Sequence, residues 1–260
     1  MFQWQRRRNR RRIRAGRLSP SRRHVLEARV PWVRGLSAED LRELAGHVLV
    51  FLAEKRFEGA GGLAITDEIE VTIAGHACSL IMHRETDYYP GLSSIVVYPD
   101  AYSVPRTTRA ADGTVEEFTE VRQGESWSRG AVVLSWQAVV DAGDPRRIQN
   151  VVVHEFAHQL DGQSGTVDGL PLLGDPAHQG RWAAVLGHEY EVLRAAVANR
   201  QGTLLRPYGA TNPGEFFAVA SEAFFMQPGL LRRHHPGLFD ALKDFYRLDL
   251  LGSSSHSLVV

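Results

Sequence analysis

A single cysteine, Cys78, occurs in the 260 residues, so no disulfide can close within the chain and a packed core has to hold it together. No apolar run approaches the roughly 20 residues needed to span a bilayer. The arginines near the start are not followed by the apolar core of a secretory signal, and with one thiol the simplest compartment is the cytoplasm. Internal repeats are lacking too. Net charge is absent, with 30 basic against 30 acidic side chains, but the balance is uneven: ten of the residues between Arg6 and Arg23 are arginine, which leaves the remainder acidic. At 43% hydrophobic and 23% charged, the composition is that of a soluble globular chain.

What is present centres on His154-Glu155-Phe156-Ala157-His158-Gln159-Leu160-Asp161, preceded by Val151-Val152-Val153. Residues four apart on a helix lie one turn above each other, so His154 and His158 can aim both imidazoles at one point, which suits a zinc ion. Glu155 projects beside them, within reach of a metal-bound water. Val153, Phe156, Ala157 and Leu160 form the opposite, buried face. Asp161 falls on the ligand side one turn beyond His158. H-E-x-x-H arises by chance in roughly a few per cent of chains this long, so context has to support it.

A catalytic zinc takes three protein ligands and keeps one open position. The third is sought in the stretch from Tyr208 to Glu222, where Asn212-Pro213 marks a helix start and puts Glu215 in the first turn. An Asn cap followed three residues later by Glu also satisfies a capping box. Phe216, Phe217, Val219, Ala220 and Phe224 nonetheless bury this helix, so Glu215 and Glu222, two turns apart on one side, both need partners. The metal for Glu215, and a histidine ring nitrogen or backbone group for Glu222, would satisfy both; the swapped assignment stays open.

Elsewhere the chain reads as follows. Residues 1–24 form a basic arm without apolar periodicity; nucleic acid or anionic lipid could bind such a run, but a solvated, mobile end is the expectation. Ser37 caps a helix with Asp40 at its third position, running to about Phe57, and Thr66-Asp67-Glu68 opens another that contains Cys78 as a small buried thiol. The runs Ser94–Tyr98 and Ala131–Leu134 are strands of one small sheet, with Asp112-Gly113 as a hairpin turn between them. Either the strand Ala131–Leu134 or the segment Trp127-Ser128-Arg129-Gly130 is expected to border the cleft and hold a substrate backbone by strand addition. Gly162 to Gly180 is loop, and helices follow over 181–199, 213–226 and 236–246, the tail from 251 being flexible. The fold class is α+β: a mainly helical domain over 25–250 with a small mixed β-sheet beside the H-E-x-x-H helix.

His154–Asp161, the stretch Tyr208-Gly209-Ala210-Thr211-Asn212-Pro213 with Glu215-Phe216-Phe217-Ala218-Val219, and Glu54-Lys55-Arg56-Phe57-Glu58-Gly59 together resemble the Mlc titration factor family of zinc metallopeptidases, over about Leu36 to Tyr246. The resemblance implies a cytoplasmic bacterial zincin related in its catalytic core to anthrax lethal factor. It implies zinc held by His154, His158 and Glu215, with Glu155 as general base and Tyr208 as the family's metal-facing tyrosine. Family members cleave small aminopeptidase-type substrates and, in enteric bacteria, bind the repressor Mlc. The expected partner is therefore a peptide or protein substrate, with a transcriptional repressor as the alternative. Nucleic acid is not expected as a partner.

Overall fold

The computed structural model describes residues 2–109, 115–122, 124–127, 130–144, 146–173 and 176–252. In chain order, helices α1 (Phe2–Arg14) and α2 (Pro20–Arg29) precede a 3₁₀ turn (Pro31–Gly35) and α3 (Ala38–Glu54). Strand β1 (Arg56–Gly59), helix α4 (Asp67–Ser79) and strand β2 (Ser94–Tyr98) follow, then the hairpin β3 (Tyr102–Arg109) and β4 (Val115–Arg122). Next come β5 (Gly124–Trp127), β6 (Ala131–Ser135), α5 (Trp136–Asp141) and α6 (Val151–Asp161). The chain closes with α7 (Pro176–Ala198), α8 (Pro213–Met226), α9 (Pro228–His234) and α10 (Pro236–Tyr246).

The helix starts are chemically ordinary. Ser37 accepts from the Asp40 N–H, Thr66 from Ile69, Asn150 from Val153 and Asn212 from Glu215, each quenching one of the orphan donors of a first turn. The four-stranded sheet runs in the order β1-β2-β6-β5. Its first three strands are parallel, with Ile95 opposite both Phe57 and Val132, while β5 is antiparallel to β6. A mixed sheet of this kind packed against helices is the small-sheet, mainly helical architecture read from the sequence.

Burial explains where α6 sits. Helix α4 is buried on every side from Val71 to Ser79, so it forms the centre of the molecule rather than a half-wet layer. Helix α6 packs between α4 and α8. On its inner face Phe156 lies fully buried against Phe51 and Tyr89, with ring centroids 5.7 and 4.8 Å away, and its burial stabilises the fold by roughly 1.5–3 kcal/mol. The opposite face is left to point at α8.

Several expectations are corrected. The basic arm is not a loose end: α1 and α2 are helices whose inward arginines are neutralised by carboxylates across the gap, Glu43, Glu54 and Asp87 for α1 and Asp67 and Glu68 for α2. Helix α3 stops at Glu54 instead of Phe57, and Phe57 enters the sheet. The buried Lys55 takes an extended conformation there and donates to the carbonyls of Tyr89 and Leu92 at 2.8 and 2.6 Å, a tertiary demand with no local signal. Strand Ala131–Leu134 is not an edge, since β5 covers it and β5 itself packs beside α6. Helix α7 starts at Pro176, inside the expected loop. The Asp112-Gly113 turn lies outside the described residues.

Candidate metal centre

Three side chains from two helices meet over the outer face of α6. His154 and His158 project one turn apart from α6, their ring centroids 4.9 Å apart. Glu215 comes from the first turn of α8. One atom from each of the three lies within 4.8 Å of the others. The Glu215 Oε2 is 3.0 Å from His154 Nε2 and 3.3 Å from His158 Nε2, yet that buried oxygen forms no hydrogen bond. Ligand atoms held about 2.0–2.1 Å from a tetrahedral ion stand about 3.3–3.4 Å apart, so the spacing fits a shared divalent cation better than it fits a hydrogen-bonded cluster.

Charge points the same way. Burial alone would lower the pKa of His154, but the carboxylates of Glu215 and Glu222 on either side raise it to about 10. Burial raises Glu215, and the two facing imidazoles overcome this and hold it below the usual carboxylate range. Glu155 is buried, and burial pushes its pKa up against the opposing pull of His154 and His158. Two carboxylates thus flank one buried imidazole and call for positive charge between them. A dication at the centre would supply that compensation and leave both Nε2 lone pairs as ligands.

Behind the ligands lies a polar hub. Glu222, fully buried on α8, accepts from His154 Nδ1 at 2.7 Å and from the Asn150 backbone N–H at 2.6 Å. Arg206 Nη2 donates to the same oxygen as His154. This directs His154 Nε2 at the centre and fixes its tautomer. Glu222 thus meets both a ring nitrogen and a backbone amide, while Glu215 faces the Nε2 atoms of His154 and His158. Asn150 extends the chain inward, its Nδ2 lying 3.2 Å from His76 Nδ1.

Tyr208, on a short 3₁₀ turn (Pro207–Ala210), is half exposed, with its ring centroid 6.0 Å from that of His154 and the Arg206 guanidinium 5.8 Å above it. Asp161 is not among the gathered ligand atoms. Its Oδ2 accepts from the Gly169 N–H at 2.8 Å, and Trp182 Nε1 donates to the Gly169 carbonyl at 2.9 Å. Gly169 has φ +78°, and a Cβ there would stand 2.7 Å from the carbonyl oxygen of Pro213, the first residue of α8. Asp161 and Trp182 thereby clamp the loop against the root of the helix that carries Glu215. Asn150, Arg206 and this clamp escaped the sequence reading; the one usable signal was that a buried Glu222 requires donors.

A cleft of about 640 Å³ opens beside His158, lined in part by Gly130, Gln159, Gly162 and Val167. Gly130 brings the end of the segment leading into β6 to the cleft wall. Ser128 and Arg129 lie outside the described residues.

A mainly helical α+β domain with a small mixed sheet is the architecture of a zincin-like metallopeptidase. Comparison with known proteins narrows this. The family described as glucose-regulated metallo-peptidase M90 matches residues 2–247, so the likeness includes the arginine-rich segment that the motifs alone had left out. The chain is 39% identical over 238 residues to an uncharacterised Synechocystis sp. protein, covering 90% of this chain and 86% of the other. It is 32% identical to the Mlc titration factor A proteins of Klebsiella pneumoniae, over 232 residues, and Pectobacterium atrosepticum, over 227; in both cases 85% of this chain and 84% of the relative are covered. The chain belongs to the Mlc titration factor A family of metallopeptidases. Family membership implies a divalent metal, and among the described residues no helix is long and apolar enough to cross a membrane.

Proposed function

We propose that the protein is a zinc-dependent peptidase of the cytoplasm, acting in an aminopeptidase-like manner on small or regulatory peptide substrates. The observation that carries this reading is the gathering of His154 Nε2, His158 Nε2 and a Glu215 oxygen within 4.8 Å of one another, with Glu155 beside them. Zinc, when bound there, would lower the pKa of a water towards about 7 and polarise the scissile carbonyl. Glu155 would take the proton of that water and later deliver it to the departing amine. Tyr208 donates a hydrogen bond to the oxyanion that develops on the carbonyl. Glu222, held by Asn150 and Arg206, keeps His154 oriented.

The test is a pair of variants. Glu155→Gln is expected to bind zinc and lose nearly all hydrolysis of aminopeptidase substrates, whereas His158→Ala loses metal and activity together. Full activity in Glu155→Gln would remove the base assignment.

A second reading is favoured by the name of the relatives: the chain sequesters a transcriptional repressor, as a titration factor, with peptidase activity secondary. Pull-down of a repressor by the Glu155→Gln protein separates the two, since sequestration survives that change and proteolysis does not.

A further inference from the structure

Helix α1 carries arginines around about two thirds of its circumference, and the structure divides them into two sets. The inward set is neutralised. Arg10, 7% exposed, bonds Glu54 through Nε at 2.7 Å and Nη2 at 2.8 Å, also bonds Asp87, and lies over the Tyr88 ring. Arg6 pairs with Glu54 at 3.1 Å and Arg14 with Glu43 at 3.2 Å. A Cβ on Gly46 of α3 would stand 2.8 Å from the Arg14 carbonyl oxygen, so the two helices touch at a point only glycine permits. Helix α1 is thus fixed to the domain.

The outward set is not neutralised. At 100° per residue, Arg7, Arg11, Trp4, Arg8 and Arg12 fill one continuous arc, and all are exposed. None of these four arginines has a carboxylate partner among the described residues; Arg12 bonds Asn9 and Arg8 lies over Trp4. The helix contains no acidic residue. Arg7 with Arg11, and Arg8 with Arg12, are like-charge pairs one turn apart that weaken the helix carrying them. The carboxylates that reach α1, those of Glu43, Glu54 and Asp87, all meet its inward arginines.

We propose that this face of α1 binds single-stranded nucleic acid. Successive turns set the guanidinia about 6 Å apart along the axis, a spacing suited to neighbouring phosphates of an extended strand. Trp4, 65% exposed at the centre of the arc, offers a ring on which an unpaired base can stack. An anionic bilayer fits less well, because an interfacial helix needs an apolar face to bury, and Trp4 is the sole large apolar side chain on this one. The reading is independent of the metal centre. It replaces the expectation of a solvated arm because the charges sit on a docked helix instead of a loose chain.

The experiment is fluorescence anisotropy of the full-length protein with a labelled 12-nucleotide oligo-dT between 50 and 300 mM salt. Four phosphate contacts predict a log–log salt slope of about −3. Replacing Arg7, Arg8, Arg11 and Arg12 together by Gln is expected to weaken binding more than about tenfold at low salt and to flatten the slope. Trp4→Ala is expected to weaken it about fivefold or more. Circular dichroism and zinc content should not change in either variant. Absence of binding at 50 mM salt, binding unaffected by the four replacements, equal affinity for a duplex of the same length, or a preference for phosphatidylserine-containing vesicles that the same replacements abolish would each overturn the proposal.

Discussion

Glu222→Gln tests the hub behind the metal centre with almost no change of shape. Three donors converge on the two carboxylate oxygens: His154 Nδ1–H and Arg206 on Oε1, and the Asn150 N–H on Oε2. Glutamine has one carbonyl oxygen and one NH₂ group, so in either amide orientation a buried donor must face another donor. Leaving one such group unsatisfied costs about 1–3 kcal/mol. If the NH₂ turns to His154, the ring loses the acceptor that aims Nε2; if it turns to Asn150, the start of α6 is disturbed. Both routes displace a ligand, and loss of a carboxylate behind a ligand histidine typically lowers metal affinity about 10–100-fold. The assay is zinc competition against a fluorescent chelator, with far-UV circular dichroism to confirm folding. Glu215→Gln, run beside it, should lose more affinity because it removes a ligand. Zinc binding at wild-type strength in Glu222→Gln would refute the hub, and a larger loss there than in Glu215→Gln would reverse the two roles.

Three further outcomes are expected. Burial depresses the pKa of His76 to about 3 and of His47 to about 4, the latter helped by Arg14, so the unfolded chain binds more protons below pH 6.5. Stability contributed above that pH is lost as pH falls towards those folded values, by about 4 kcal/mol for the pair between pH 7 and 5. Urea titrations of the metal-free protein should show His76→Gln losing about half that dependence, and a curve parallel to wild type would refute it. Gly169→Ala forces a side chain into a left-handed conformation and against Pro213, costing at least about 1–2 kcal/mol. It should lower both melting temperature and zinc affinity, whereas a destabilised protein with unchanged affinity would detach the clamp from the metal centre. Tyr208→Phe should keep its zinc and lose about 10²–10³-fold in kcat with KM little changed, if the hydroxyl meets the oxyanion; an unchanged kcat removes that role.

The helices with their own caps and stripes were legible from residue order. Ser37, Thr66 and Asn212 each sit one residue before a helix whose apolar spacing continues their signal, and the spans 213–226 and 236–246 fall where periodicity put them. Strand β1 was missed because Phe57 continues the helical spacing of α3, and what ends that helix is Lys55 reaching two carbonyls more than thirty residues away.

Local order alone determined that two imidazoles would share one helical turn with an apolar face behind them, because a 3.6-residue period allows nothing else. It also determined that Glu215 would open a helix and that Glu222 would need donors. Tertiary structure decided which carboxylate faces the histidines, which donors (Asn150 and Arg206) hold the other, and that the arginine-rich start would be a docked helix. Each of these depends on groups far apart in sequence meeting at a distance of a few ångströms, and pairing energies of that kind carry no signature in the spacing of either partner.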